Sequence, residues 1–225
     1  FFPKINFIVM LGETMELPSS VFLENGIKLI KIPRGDGVIG SNGWFEPKRN
    51  KPKIKVQIDH DYYLSETPIT SAQWEFLGMR DPSRLPDPHT PVESVTRRLA
   101  ISWLQKLNQK FPLVGGFNGT FRLPTEVEWE YAARAGDKSR RPGPDYTFGG
   151  VVSSIRGGGP MQGSLEKDYI SRGYKPRKVA DMSSNRWGLK GMIGDVAEHC
   201  LDPYIETNRG APRNGNCRTG PGEII

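Results

Sequence analysis

The run Phe121-Arg-Leu-Pro-Thr-Glu-Val-Glu-Trp-Glu-Tyr-Ala-Ala-Arg-Ala-Gly136 constrains this chain more than any other stretch, because it specifies a helix with both ends marked. Pro124 interrupts whatever precedes it. Thr125 suits the N-cap, and Glu128 stands three residues on. The two make a capping box in which each side chain satisfies a backbone donor of the other. Glu126, Glu128 and Glu130 crowd the positive end of the helix dipole, and Arg134 sits near the negative end. Gly136 is placed to close the helix.

The flanking sequence predicts short elements. Ile27 to Gly40 alternates and then turns, which reads as a hairpin; Ile54 to Ile58 is a period-two strand. A short helix follows, with Thr70 as N-cap, Gln73 at N3 and Gly78 at its end. Val95 to Asn108 carries Val95, Leu99, Trp103 and Leu107 on one stripe, the pattern of an amphipathic helix. Leu113 to Gly119 reads as a turn. After Gly136 about forty residues lack periodicity and are expected to be packed loops.

Composition narrows the class. The 225 residues include 26 Gly and 19 Pro, which fits a loop-rich domain, and 36% hydrophobic residues, which fits one core. No apolar run is long enough for a membrane span, and Phe1 to Leu11 lacks the basic start of a signal peptide. The net charge is +6, with basic clusters at Lys48–Lys55, Lys138–Arg141 and Arg172–Lys178. These are solvated loops or a docking surface for an acidic partner. Nucleic acid is not expected, since no interleaved aromatics accompany the clusters. His60, His89 and His199 are too scattered for a zinc pattern, and no nucleophile elbow or phosphate loop is present.

The helix string resembles the signature R-L-P-T-E-x-E-W-E-Y-A-A-R-x-G of the formylglycine-generating enzyme, or sulfatase-modifying-factor, family. A second hallmark, N-x-W-G-L-x-D-M-x-G-N-V-W-E-W followed by D-x-Y, is similar to Asn185, Trp187, Gly188, Leu189, Met192, Gly194, Val196, Glu198, Asp202 and Tyr204. Gly191, Asp195, Ala197 and His199 depart from it. Glu66, Thr70, Gln73 and Trp74 match a further family stretch. The resemblance runs from about Ile27 to Tyr204. It implies an α+β domain of C-type-lectin-like fold, with two main helices, short twisted sheets and much loop. The domain is expected to span 27–225 after an N-terminal extension, 1–26, and to lack the family's closing strand before Ile225.

Arg122, Thr125, Glu128, Trp129, Trp187, Gly188 and Glu198 are the structural residues implied by the two motifs. Enzymes of the family hold Cu(I) between two cysteines, since soft thiolates select that ion. Asn216-Cys217-Arg218 resembles the run found in non-catalytic relatives, and the second cysteine of a copper pair is missing. Cys200 and Cys217 leave three options: a structural disulfide, two free buried thiols, or a metal or catalytic pair. Asp195 and Glu198 match a region that binds Ca²⁺ in many relatives; the alternative is that Glu198 is a buried structural carboxylate. The expectation is a catalytically silent, extracytoplasmic domain that acts as a structural or binding subunit of a larger assembly, with its basic loops against acidic surfaces of a protein partner. The alternatives are a formylglycine-generating oxidase truncated at its C-terminus and a ligand-displaying variable protein.

Overall fold

The structure, a computed structural model, describes residues 5–11, 18–42, 50–114, 117–138, 176–192, 198–203 and 207–218. In chain order the elements are β1 (Ile8–Leu11), β2 (Ser20–Phe22), β3 (Lys28–Ile32), β4 (Gly35–Ile39), β5 (Ile54–Ile58), β6 (Tyr62–Ser65), α1 (Ser71–Glu75), α2 (Arg97–Lys110), β7 (Leu113–Val114), β8 (Phe117–Arg122) and α3 (Glu126–Arg134), then a 3-10 turn at Val179–Asp181. Among the described residues the strands form a six-stranded antiparallel sheet, ordered β2-β3-β6-β1-β8-β7, and a separate β4–β5 pair. The architecture is α+β. No described helix is long and apolar enough to cross a membrane.

Alternation along the strands sends side chains to both faces of the large sheet, and both faces are covered. Phe7, Val9, Leu29, Tyr63 and Phe121 point to one core with Trp74 of α1 and Trp103, Leu104 and Leu107 of α2. Ile8, Ile32, Tyr62 and Leu64 point to a second core with α3 and the β4–β5 pair. Hence β6 is buried along its whole length rather than alternately. In the first core Trp74 and Trp103 stack at 5.8 Å, and the Trp103 indole donates to the Trp74 carbonyl. Residues 5–9, inside the stretch set apart as an extension, are buried, and β1 sits between β6 and β8.

The expected hairpin over Ile27–Gly40 is not formed. β3 pairs with β2 and β6, whereas β4 pairs with β5 in the other layer. Pro33 offers no backbone donor, and Gly35 takes a φ of +152°, so the chain turns out of one sheet and into the next. The expected turn over Leu113–Gly119 contains strands: β7 pairs with β8 through Leu113↔Asn118 and Val114↔Phe117. α2 starts at Arg97 with Thr96 as N-cap, two residues later than the apolar stripe suggests. Asn108, on its last turn, donates to the Phe121 carbonyl at 2.9 Å and accepts from the Phe121 N–H at 2.8 Å.

α1 and α3 both carry the capping boxes expected of Thr70/Gln73 and Thr125/Glu128. Every residue of α3 is buried, charged ones included. β4 meets the helix at Gly37, where a Cβ would lie 2.5 Å from the Tyr131 ring; only a glycine lets helix and strand approach so closely.

Candidate functional site

The two hallmark motifs meet around α3, at opposite ends of the helix. Buried charge is tolerated only when hydrogen-bonded, and each acidic side chain here has such partners. Glu128 Oε2 accepts from the Thr125 N–H at 2.8 Å, while Arg122 clamps both carboxylate oxygens at 2.9 and 2.7 Å. His60 Nε2 lies 3.4 Å from Glu128 Oε1, and its Nδ1 faces Asp59. Burial by itself would raise the Glu128 carboxyl; hydrogen bonds from His60 and Arg122 outweigh it and hold the group below its ordinary value. Reciprocally, the Glu128 hydrogen bond raises His60 against a smaller effect of burial, with Asp59 adding to the rise.

A C-terminal segment closes over this helix start. Asp202 accepts from the Glu126 N–H through Oδ2 at 2.6 Å and from the Arg218 N–H through Oδ1 at 2.7 Å, so one carboxylate ties the helix to the 215–218 segment. Thr125 donates its hydroxyl to the Gly215 carbonyl at 2.9 Å, and the Leu201 N–H donates to the Pro124 carbonyl at 2.7 Å. Arg97, from α2, donates to the carbonyls of Cys200 and Leu201. Glu198 Oε2 accepts from the Trp129 indole and from Asn6 Nδ2, which binds the second motif to the first and to the segment leading into β1.

At the other end of α3, Asn185 Nδ2 donates to the Ala132 and Ala133 carbonyls, and its Oδ1 accepts from the N–H groups of Trp187 and Leu189. That amide supplies a C-terminal cap for a helix whose last carbonyls lack internal partners. Trp187 packs on Tyr131 at 5.2 Å, with Gly188 in the left-handed region beside it. Gly191, where the family pattern carries Asp, has a φ of +64°, and a Cβ there would meet Met182 Sδ at 2.4 Å. His199 donates through Nε2 to the Val95 carbonyl at 2.8 Å, and burial holds it below its ordinary value.

The structure thus brings Arg122, Thr125, Glu128, Trp129 and Glu198 together, with Trp187 and Gly188 at the far end of the same helix. Asp195 lies outside the described residues. Cys200 and Cys217 are free thiols, so the disulfide option is not realised. Cys200 is committed to the second core, while Cys217 turns its Sγ to the Arg218 carbonyl. Sequence reasoning missed Asn6, Arg97, Asn208 and Arg218, whose roles depend on contacts across the fold. Asn208 is fully buried, donating to the carbonyls of Asn50 and Pro52 and receiving Arg218.

Among the described residues no three His, Cys, Asp or Glu side chains are grouped as a metal site. Glu198 Oε2 faces the N–H donors of Trp129 and Asn6. Cu(I) needs two thiolates. Burial, and then the charges of Glu126, Asp202, Glu198 and Glu128, push the Cys200 thiol well above its ordinary range. Burial and Asp202 raise Cys217 as well, against weaker help from Arg97 and Arg122.

The family model described as the sulfatase-modifying factor enzyme 1-like domain matches residues 15–222. The chain belongs to this family. The chaperone protein LppX of Paenibacillus barcinonensis is 26% identical over 204 residues, covering 74% of this chain and 71% of that protein. The formylglycine-generating enzyme of Streptomyces coelicolor is 36% identical over 94 residues, which is 38% of this chain and 27% of the enzyme. The solved structure of PvdO from Pseudomonas aeruginosa superposes with a TM-score of 0.68 at 19% identity, covering 92% of this chain and 83% of that one. This last likeness speaks for the fold alone. The sulfatase-modifying-factor motifs seen in the sequence are therefore the residues that organise α3 and its two ends.

Proposed function

We propose that this sulfatase-modifying-factor-like domain is a binding and structural module rather than a thiol-dependent oxidase. The observation that carries the reading is the placement of its two thiols: Cys200 is buried in the core against α3, whereas Cys217 is partly exposed on the C-terminal segment with its Sγ at the Arg218 carbonyl. Burial and neighbouring carboxylates also push both thiols above their ordinary values, which disfavours a free thiolate nucleophile. The hallmark side chains around them serve the framework: Glu128, Glu198 and Asp202 each bridge separate segments of the chain. The fold is read as a variant of the C-type-lectin-like architecture, whose loops are free to carry binding surfaces on a rigid frame. Protein is the favoured class of partner, supported by the relative named as a chaperone protein, and an extracytoplasmic setting belongs to the same reading.

The test is incubation of the full-length protein with Cu(I), oxygen and a peptide containing C-x-P-x-R, followed by mass spectrometry. No aldehyde is expected. Aldehyde formation that disappears in Cys217→Ser would overturn the reading and restore the oxidase.

A further inference from the structure

We propose that Asn214 is a site of spontaneous deamidation and isoaspartate formation, and that this modification unfastens the 213–218 segment from the start of α3. In the reaction the Gly215 amide nitrogen attacks Asn214 Cγ. The new N–C bond closes a succinimide ring, the Cγ–Nδ2 bond breaks, and Nδ2 leaves as ammonia with the amide proton. Water then opens the ring at either carbonyl, giving aspartate or isoaspartate. A following glycine favours the attack because it has no Cβ to crowd the nitrogen. The chain has four Asn-Gly pairs, beginning at Asn25, Asn42, Asn118 and Asn214, and the fold treats them differently.

At Asn25 the attacking nitrogen is engaged, because the Gly26 N–H donates to the Leu23 carbonyl at 3.0 Å. At Asn118 both residues stand in the ladder of β8, Asn118 opposite Leu113 and Gly119 opposite Leu11, and pairing on both sides holds the chain extended. The glycine after Asn42 lies outside the described residues. Asn214 is exposed, and its Oδ1 accepts from the Asn216 N–H at 3.3 Å, which folds the side chain over residue 215. Among the described residues neither Asn214 Nδ2 nor the Gly215 N–H has a hydrogen-bond partner, so leaving group and nucleophile are both unengaged. The fold also demands the glycine: its φ is +81°, and a Cβ there would lie 3.2 Å from Ile58 Cδ1.

The residues on either side of Asn214 fasten the segment. The Arg213 carbonyl accepts from the Gln57 N–H at 2.6 Å, and the Gly215 carbonyl accepts from the Thr125 hydroxyl at 2.9 Å. Isoaspartate adds a methylene to the backbone between these two carbonyls and a carboxylate beside them, so the two contacts no longer fit their present spacing. Residues 213–218 carry no aliphatic or aromatic side chain that would hold them in place by burial.

The experiment ages the full-length protein at mildly alkaline pH and follows each site by peptide mass spectrometry. Isoaspartate is detected by methyl transfer from labelled S-adenosylmethionine with an isoaspartyl methyltransferase. A urea-unfolded sample gives the intrinsic rate at each site. With every native rate divided by its unfolded rate, Asn214 is expected to react at least about tenfold faster than Asn25 and Asn118. A ratio near one against either of them would overturn the assignment. The consequence is read at Cys217, which iodoacetamide should alkylate faster in aged protein than in fresh protein. Asn214→Gln, whose longer side chain disfavours ring closure, should show no such change on ageing. Equal Cys217 rates in aged wild type and aged Asn214→Gln would overturn the unfastening. Thermal melting of the fresh variant confirms that it is folded.

Discussion

Glu128 is a fully buried carboxylate that Arg122, Thr125 and His60 share. It caps α3, anchors β8 through Arg122 and reaches the end of β5 through His60. The histidine gives this cluster a pH dependence. His60 is raised above its ordinary value of 6.5 in the folded protein, so the stability it contributes is present below that pH and is lost as pH rises through the folded value. Glu128 is lowered, so its contribution is present above the ordinary carboxylate range and is lost as pH falls through the folded value. We expect His60→Gln to lower the urea midpoint near pH 6 and to leave it nearly unchanged near pH 9. Equal losses at both pH values would mean that His60 acts by packing alone.

At the scale of elements, what could be read from the sequence was what is local. The α3 helix and its caps follow from Thr125, Glu128 and the residues between them, and α1 follows from Thr70 and Gln73, because a capping box is completed within four residues. β5 was legible because one face is buried and the other exposed. Ile27–Gly40 was misread because its alternation says that strands exist and not which strands they pair with; β3 lies between β2 and β6, while β4 pairs with β5. The site followed the same division. Arg122 and Glu198 carried motif signals, whereas Asn6 and Arg218 acquired meaning only when distant segments met. We expect Thr125→Ala to cost about 1–2 kcal/mol, since the hydroxyl both caps α3 and holds the Gly215 carbonyl. Hydrogen exchange should then quicken in the 213–218 segment as well as in the first turn of α3. Faster exchange in the helix alone would separate the two.

At the scale of the whole molecule, the two thiols report on different openings. Cys200 is buried in the core shared by the sheet and α3, and Cys217 is partly exposed on the C-terminal segment. Alkylation of Cys217 is therefore expected to follow local opening, whereas Cys200 should react only at the rate of global unfolding. Mass spectrometry of iodoacetamide-treated native protein, with a denatured control, checks this; comparable native rates at the two sites would contradict it. The place of β1 has a different consequence, one for biosynthesis. Its partners are residues 63–64 on one side and 119–122 on the other, so it is synthesised before either flank of the sheet centre exists. Until residue 122 has left the ribosome, an apolar strand waits with an open edge, the kind of delayed long-range pairing that exposes a nascent sheet to aggregation.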